Sequence, residues 1–387
     1  MNGRLWISKS LGLVSHKQAG LSGAAGTSRG FDAGRLFGLA AAVFFVAMAI
    51  FPQSVYSGAR RGLDLWAGIL VPSMLPFFIL AEILMGSGIL RVLGQLLRPL
   101  MRPLFNLPGE AGLGLALGYT SGFPMGAVIT GRLYGGDYLS ADEAGRLLAF
   151  TNNSSPGFLL TSLAAGMLAA PSAGWLLALC HYGANLFFGF CLGQYSRLRR
   201  SPAGRQEKGY AGRGAANNAA GRIAESVLAA GGAGSVPAAR PTSFSRLVTS
   251  SISSAIQSIL SLGGYVLLFS AAIQLFEDLG LLGRLAAGLQ PLLPGSLSSV
   301  GLSRALASGI FEMTLGLNLL TSLSLPLKQV IPYCLLLLGW SGLSVQAQVA
   351  GLAGSARLPL KYYAMGCFLQ PLLSLLLFGL VCSFFAL

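Results

Sequence analysis

Residues 110–134, EAGLGLALGYTSGFPMGAVITGRLY, are long enough to cross a bilayer as a helix but carry Thr120, Ser121, Gly122 and Pro124 at their centre. Crossing a hydrocarbon core of about 30 Å takes roughly 20 mostly apolar residues. In lipid, backbone groups freed by glycine and proline must find partners inside the protein or in a wet cavity. The segment therefore predicts a helix that is broken within the membrane.

Similar interruptions occur at three other places. Residues 146–169, RLLAFTNNSSPGFLLTSLAAGMLA, contain Asn152, Asn153, Ser154 and Ser155 before a proline. Two further interrupted segments follow at 301–323 and about 331–354. Four breaks in apolar segments are typical of transporters, in which discontinuous helices form the substrate and ion sites.

Composition places the rest of the chain in lipid as well. Of 387 residues, 53% are hydrophobic and 10% are charged, against about a quarter charged in soluble domains. We therefore predict an all-α polytopic membrane protein with about seven to nine membrane segments. The formal net charge of +14 lies mainly before the first apolar block and in one polar linker. That placement fits the positive-inside pattern of cytoplasmic loops and argues against nucleic acid as a partner.

The domain boundaries follow from these composition changes. We expect a disordered basic tail over 1–33, a first transmembrane helix over 34–56 and a flexible cytoplasmic linker over 196–245. Two repeats, 62–195 and 246–387, flank the linker. The five cysteines and two histidines show no metal-binding spacing, so no metal and no cofactor is predicted.

The two repeats show the same order of elements at a nearly constant offset. Ser121-Gly122 corresponds to Ser308-Gly309 and Ser154 to Ser341, in both cases 187 residues apart. With re-entrant breaks each repeat would cross the membrane three times, which predicts opposite orientations and an inverted repeat. Because few residues are identical, a chance match remains the alternative.

The polar residues at the breaks are the candidate substrate- or ion-binding residues. At breaks that are buried in protein or line a wet cavity, the ends of half-helices would present free N–H groups to an anion or polar ligand. Hydroxyls bonded to helix carbonyls and asparagines joining helices are the structural alternative. Gly114, Gly118, Gly122 and Gly126, four residues apart, indicate close helix packing. The candidates are Thr120, Ser121, Gly122, Pro124, Asn152, Asn153, Ser154, Ser155, Ser308, Gly309, Glu312, Thr314, Asn318, Trp340, Ser341, Gln346 and Gln348.

Glu312 makes the two repeats unequal, because its counterpart 187 residues earlier is Met125. An acid within the membrane is costly, which indicates a coupling-ion or proton site, or a bond to the substrate. A structural pair is the alternative. The sequence contains no HExxH motif, so no enzymatic activity is predicted.

Several of these stretches together resemble the YlbJ family of sporulation integral membrane proteins. They are WAGILVPSMLPFFILAEILMGSG, RPLFNLPG, GYTSGFPMGA, EAGRLLAFTNNSSPGFL and HYGANLFFG, and the similarity extends over about 36–387. The resemblance implies an endospore-forming bacterium, a role in spore cortex formation, a location in the mother-cell or forespore membrane, and a nucleoside-recognition (Gate) domain. Concentrative nucleoside carriers, which share that domain, place acids in both hairpins, whereas GFPMG has none.

Two hypotheses result. The first is a permease that moves a small polar solute needed for the cortex, with or without a coupling ion, by alternating access between the repeats. The second is a non-transporting membrane scaffold for a sporulation complex. The lipid bilayer is a partner in both, and a homo-oligomer is compatible with either.

Overall fold

The computed structural model describes residues 33–87, 89–199, 244–294, 299–323 and 325–385. Throughout these ranges the regular structure is helical and includes no strand. The predicted all-α class is thus confirmed. Nearly all of the predicted basic tail and most of the predicted linker lie outside the described residues, so the expectation that they are disordered stays a prediction.

Helix α1, Ala33–Ile50, is the described part of a separate unit comprising residues 1–50. The sequence predicts one transmembrane helix over 34–56, but α1 ends at Ile50. Pro52 is the first residue of the next helix, a position where its fixed φ and missing N–H are tolerated. The residues after Phe51 therefore belong to the second unit, 51–387.

The first half of this second unit, residues 52–199, begins with a long helix and contains two broken ones. Its elements in order are α2 Pro52–Leu65, a π-helical turn Trp66–Leu70, α3 Val71–Gly86, α4 Ile89–Leu100, a π-helical turn Met101–Phe105, α5 Ala111–Ser121, α6 Met125–Gly135, α7 Ala141–Thr151, a π-helix Phe158–Met167 and α8 Ala173–Arg199.

The second half, residues 244–385, repeats this order. It comprises α9 Phe244–Asp278, α10 Leu281–Leu289, a short 3₁₀ turn Gln290–Leu292, α11 Val300–Phe311, α12 Met313–Thr321, α13 Leu327–Trp340, α14 Gly342–Ala356 and α15 Lys361–Phe385. In each half a long helix is followed by a short helix, a helical hairpin, a broken helix and a final long helix.

Five stretches of the described chain are long and apolar enough to cross a membrane. They are Pro52–Leu84, Ala173–Arg199, Phe244–Asp278, Leu327–Ala356 and Lys361–Phe384. The apolar helices Gly38–Ile50, Phe158–Met167 and Val300–Phe311 are shorter. A membrane protein is therefore indicated, whereas the larger number of seven to nine segments stays a prediction.

Packing between the halves is reciprocal. Helix α7 packs against α15, and its counterpart α13 packs against α8. Similarly α6 contacts α14, while α12 contacts the π-helix Phe158–Met167. The long helices at the start of each half, α2–α3 and α9, also pack together, with the Trp66 indole donating to the Ile259 carbonyl at 2.9 Å. Each half thus buries its apolar faces against the other rather than forming a core alone.

A buried arginine fixes the chain between α4 and α5. Arg146, on α7, is only 1% exposed, and its guanidinium donates to the carboxylate of Asp142 at 2.9 Å. It also donates to the backbone carbonyls of Phe105 and Asn106 at 2.8 and 3.1 Å. These carbonyls end a helical turn, where an arginine is favoured by the helix dipole.

Candidate functional site

The first break separates α5 from α6, which pack against each other as a hairpin. Gly122 ends α5 with φ of +75°, a value that side chains rarely allow, and the Phe123–Pro124 peptide bond is cis. Pro124 then precedes the first residue of α6. The predicted interruption at Gly122 and Pro124 is therefore where the helix turns back.

The second break is the extended stretch 152–155 between α7 and the π-helix. Two glycines of α5 allow the hairpin to approach it closely. A Cβ added at Gly122 would lie 2.6 Å from the Ser155 nitrogen, and one at Gly118 would lie 2.2 Å from the Thr151 carbonyl oxygen. Gly114 faces Leu147 on α7 in the same way. The glycine stripe thus serves close packing, as expected, and brings the first two breaks into contact.

Buried polar atoms without hydrogen-bond partners collect around stretch 152–155. Among the described residues, seven such atoms come from six side chains: the hydroxyls of Tyr119, Ser121, Ser154 and Tyr363, both amide atoms of Asn152, and Oδ1 of Asn153. Asn152, Asn153 and Ser154 are at most 5% exposed. Because an unsatisfied buried polar group costs about 1–3 kcal/mol, this concentration makes stretch 152–155 the candidate site. We call these six side chains the polar cluster.

Members of the polar cluster lie beside one another. The Tyr119 side chain interacts with that of Asn153, and Tyr363 with that of Asn152, but neither hydroxyl has a partner at normal hydrogen-bond distance and angle. The nitrogen of Asn153 instead donates to the Phe150 carbonyl at 3.0 Å, which orients its Oδ1. The amide oxygen is therefore held in place and remains available.

Helices α8 and α15 complete the surroundings of stretch 152–155. The Tyr182 hydroxyl on α8 donates to the Ser154 carbonyl at 2.9 Å, and the Tyr182 ring lies 5.2 Å from that of Tyr119. On α15, Gln370 donates to the Ala149 carbonyl at 2.7 Å. Since α15 belongs to the second half, both halves contribute to this site.

The third break, at Glu312, is closed by its own side chain. Glu312 is 2% exposed and precedes α12, where its Oε2 accepts from the Leu315 nitrogen at 2.7 Å and from the Thr314 hydroxyl. Its carboxyl group also bonds the side chain of Ser344, in the first turn of α14. A carboxyl group at these two helix N-termini is favoured by capping and by the helix dipoles.

The fourth break, at Ser341, is likewise satisfied internally. Ser341 and Gly342 adopt φ of +68° and +78° between α13 and α14. The Trp340 indole donates to the Ile310 carbonyl at 3.0 Å, and Gln346 donates to the Trp340 carbonyl at 2.9 Å. A Cβ at Gly342 would lie 2.8 Å from the Met313 nitrogen. The third and fourth breaks are thus in contact, as the first and second are.

Helix α15 connects the two pairs of breaks. Tyr363 lies beside Asn152, and the ring of Phe368, further along α15, is 5.4 Å from that of Trp340. The two pairs of breaks differ in how many of their polar side chains have hydrogen-bond partners. Of the candidates at the third and fourth breaks, Ser308 alone among the described residues has a buried polar atom without a partner.

Comparison with known proteins assigns the chain. Over 319 residues it is 35% identical to the sporulation integral membrane protein YlbJ of Bacillus subtilis (strain 168), a match that covers 82% of this chain and 75% of the relative. The chain belongs to the YlbJ family. Its residues 67–179 also match the family described as Gate, nucleoside recognition. No solved structure matches.

This assignment confirms the resemblance seen in the sequence and, with the apolar helices, an integral membrane location. The name of the Bacillus relative describes a membrane sporulation protein rather than an enzyme. The Gate match in this YlbJ-family chain covers the first two breaks, including all of stretch 152–155. Tyr363 and the third and fourth breaks lie beyond it.

Some N–H groups at the helix starts of three breaks in this YlbJ-family chain have partners within the protein. Ser155 Oγ accepts from the Phe158 nitrogen at the start of the π-helix, 3.2 Å away. The Met125 and Ala127 nitrogens of α6 donate to the carbonyls of Gly122 and Pro124. In α12 the Leu315 nitrogen donates to Glu312. These particular N–H groups are therefore not free to bind an anion, and anion binding at the helix ends stays a prediction.

Other predicted residues have structural contacts. The Thr120 hydroxyl donates to the Ala116 carbonyl at 2.8 Å, which matches the alternative interpretation of back-bonding. Gly309 lets α12 approach, since a Cβ at Gly316 would lie 2.3 Å from its Cα. Asn318 on α12 and Gln348 on α14 are half-buried and lie beyond the breaks. In the described chain neither side chain forms a hydrogen bond with a residue of a break.

Sequence reasoning missed Tyr119, Tyr363, His181 and Asn185. Both ring nitrogens of His181 and Oδ1 of Asn185 are buried without partners in the described chain, and the two residues lie on one face of α8. Their spacing of four in an apolar span was a usable signal. The contact of Tyr363 with Asn152 joins residues 211 positions apart, which no local pattern could indicate.

Proposed function

We propose that this YlbJ-family protein is a permease of the transporter type, which moves a small polar solute across a membrane of the sporulating cell. The polar cluster around stretch 152–155 is the observation that carries the proposal. Irregular backbone at membrane depth is tolerated where it is buried in protein or lines a cavity, and in transporters such stretches form the substrate site.

The reciprocal packing of the halves supports alternating access. Contacts between α7 and α15 and between α13 and α8 are what a two-fold relation between the halves requires. We propose that the second half is inverted relative to the first, with the two hairpins, α5–α6 and α11–α12, re-entrant. Rocking of one half against the other would then expose stretch 152–155 to either side in turn.

The solute is proposed to serve spore formation, because the Bacillus relative is a sporulation protein. A supply for the spore cortex, in the mother-cell or forespore membrane, is the specific form of this proposal. A coupling ion and a homo-oligomer are separate predictions, and both are compatible with this proposal.

Uptake into proteoliposomes tests the permease. The full chain is reconstituted, and entry of radiolabelled uridine, uridine monophosphate, N-acetylglucosamine and glucosamine is measured against empty liposomes. We expect uptake of at least one probe, reduced about fivefold by Ser154→Ala, which corresponds to one lost hydrogen bond of about 1 kcal/mol. Ser355→Ala, an exposed serine on α14 bonded to the Gly351 carbonyl, is the matched control.

Uptake of none of the four probes, with protein that is monodisperse after reconstitution, would overturn the permease. The scaffold alternative makes the opposite prediction in sporulating cells. If Asn152→Ala with Asn153→Ala leaves spore formation intact whereas removal of residues 200–243 abolishes it, the scaffold is supported instead.

A further inference from the structure

The polar cluster consists of groups that are uncharged. Its hydroxyls can donate or accept, and its two amides supply donors and acceptors. The side chains beside Tyr119 are those of Asn153 and Tyr182, and those beside Tyr363 are Asn152 and Cys367, none of which carries a charge. A guest of this site therefore meets hydrogen-bonding partners of both kinds but no counter-charge from the described chain.

Two buried ionisable side chains close to the breaks already have hydrogen-bond partners within the protein. The Arg146 guanidinium, less than two turns before Asn152, bonds Asp142 and two carbonyls. The carboxyl group of Glu312 bonds Leu315 and Thr314 in α12 and Ser344 in α14. Neither side chain needs a charged guest to complete its bonds.

Several N–H groups at the helix ends beside the polar cluster are already bonded within the chain. The Phe158 nitrogen donates to Ser155 Oγ, and the Met125 and Ala127 nitrogens of α6 donate to the carbonyls of Gly122 and Pro124. Helix N-termini are the usual anion sites in proteins without a nearby cation. With these N–H groups bonded and no cation among the side chains of the cluster, transfer of a phosphate or carboxylate from water would cost several kcal/mol.

We infer that the first half, with Tyr363 from the second, selects an uncharged solute that carries both hydrogen-bond donors and acceptors. The side-chain amides of Asn152 and Asn153 form hydrogen bonds with the polar groups of this solute. The hydroxyls of Tyr119 on α5 and Tyr363 on α15 bond it as well. The third and fourth breaks hold the second half together and do not contact the solute. This inference rests on the permease proposed above and names the chemistry of its site.

Charge-matched probes in the proteoliposome assay test the inference. Uridine is compared with uridine monophosphate, which adds an anionic phosphate. N-acetylglucosamine is compared with glucosamine, whose free amine carries a positive charge when the assay is run at acidic pH. We expect an uncharged member to enter at least tenfold faster than its charged partner. Asn152→Ala should reduce that entry about fivefold or more, with Ser355→Ala unchanged.

The outcomes distinguish failure of the permease from failure of the uncharged solute. Faster uptake of uridine monophosphate or glucosamine than of the uncharged partner, still reduced by Asn152→Ala, would overturn the inference that the solute is uncharged. The permease would remain in place. Uptake of none of the probes would overturn the permease and the inference together. If Asn152→Ala fails to fold, Tyr363→Phe, which removes only a hydroxyl, serves as the second variant. An unchanged neutral uptake in that variant would place the site elsewhere.

Discussion

The carboxyl group of Glu312 caps helix α12, with Oε2 2.7 Å from the backbone nitrogen of Leu315. Because the amide oxygen of glutamine can accept the same bond, we expect Glu312→Gln to keep both fold and uptake. Glu312→Ala should lower the unfolding free energy by about 0.5–2 kcal/mol, as loss of a helix cap does. Thermal unfolding in detergent and uptake in liposomes measure the two effects. Loss of uptake in a stable Glu312→Gln variant would establish the coupling-ion role predicted from sequence.

Gly122 is a point of close contact between the first and second breaks. A methyl group there would lie 2.6 Å from the Ser155 nitrogen, and φ of +75° disfavours any side chain. We expect Gly122→Ala to destabilise the protein by about 1–3 kcal/mol, the range for overpacking, and to lower uptake. Gly264→Ala, within α9 with open space around it, is the control. It should be neutral or stabilise by up to about 1 kcal/mol, and equal stability of the two variants would contradict the close contact.

The breaks themselves could be predicted from sequence because their causes are local. Glycine and proline at 122 and 124, and asparagines before a proline at 152–156, disfavour a continuous helix through their own backbone properties. The apolar spans and the repeated order of elements are also properties of nearby residues. Location of the breaks therefore required no knowledge of tertiary structure.

Which polar groups remain unbonded could not be predicted, because it depends on distant partners. Glu312 was singled out as the lone acid, yet Leu315, Thr314 and Ser344 satisfy it. The helix caps also shift the correspondence between the halves by one residue. Pro124 caps α6 where Glu312 caps α12, so the counterpart of Glu312 is Pro124 rather than Met125. The inequality of the halves persists, but it lies mainly in the unbonded polar cluster of the first.

Arg146 provides a test of how the chain before α5 is held. Replacement by methionine would leave Asp142 and the carbonyls of Phe105 and Asn106 without their donor. Asp142 is 49% exposed and loses little with its partner, whereas the buried Phe105 carbonyl would be left without a donor, which costs about 1–3 kcal/mol. Arg146→Met should therefore unfold at a lower temperature than the unsubstituted protein. Arg146→Lys keeps the charge but loses the forked geometry of the guanidinium. Its melting temperature should lie between those of the unsubstituted protein and Arg146→Met. Equal melting temperatures for all three proteins would show that the clamp contributes no stability.

Two kinds of tyrosine surround stretch 152–155, and removal of their hydroxyls should have opposite effects on stability. Tyr182→Phe loses the 2.9 Å bond to the Ser154 carbonyl and leaves that oxygen unsatisfied, which should cost about 1–3 kcal/mol. Tyr119→Phe and Tyr363→Phe each remove a hydroxyl that has no partner in the described chain, so they should be neutral or stabilising. A hydroxyl that serves only the fold cannot be removed without loss of stability. We therefore expect Tyr119→Phe and Tyr363→Phe to reduce uptake while the melting temperature stays unchanged or rises, which is the signature of a binding site. Lower stability with unchanged uptake in both variants would assign these hydroxyls to the fold instead.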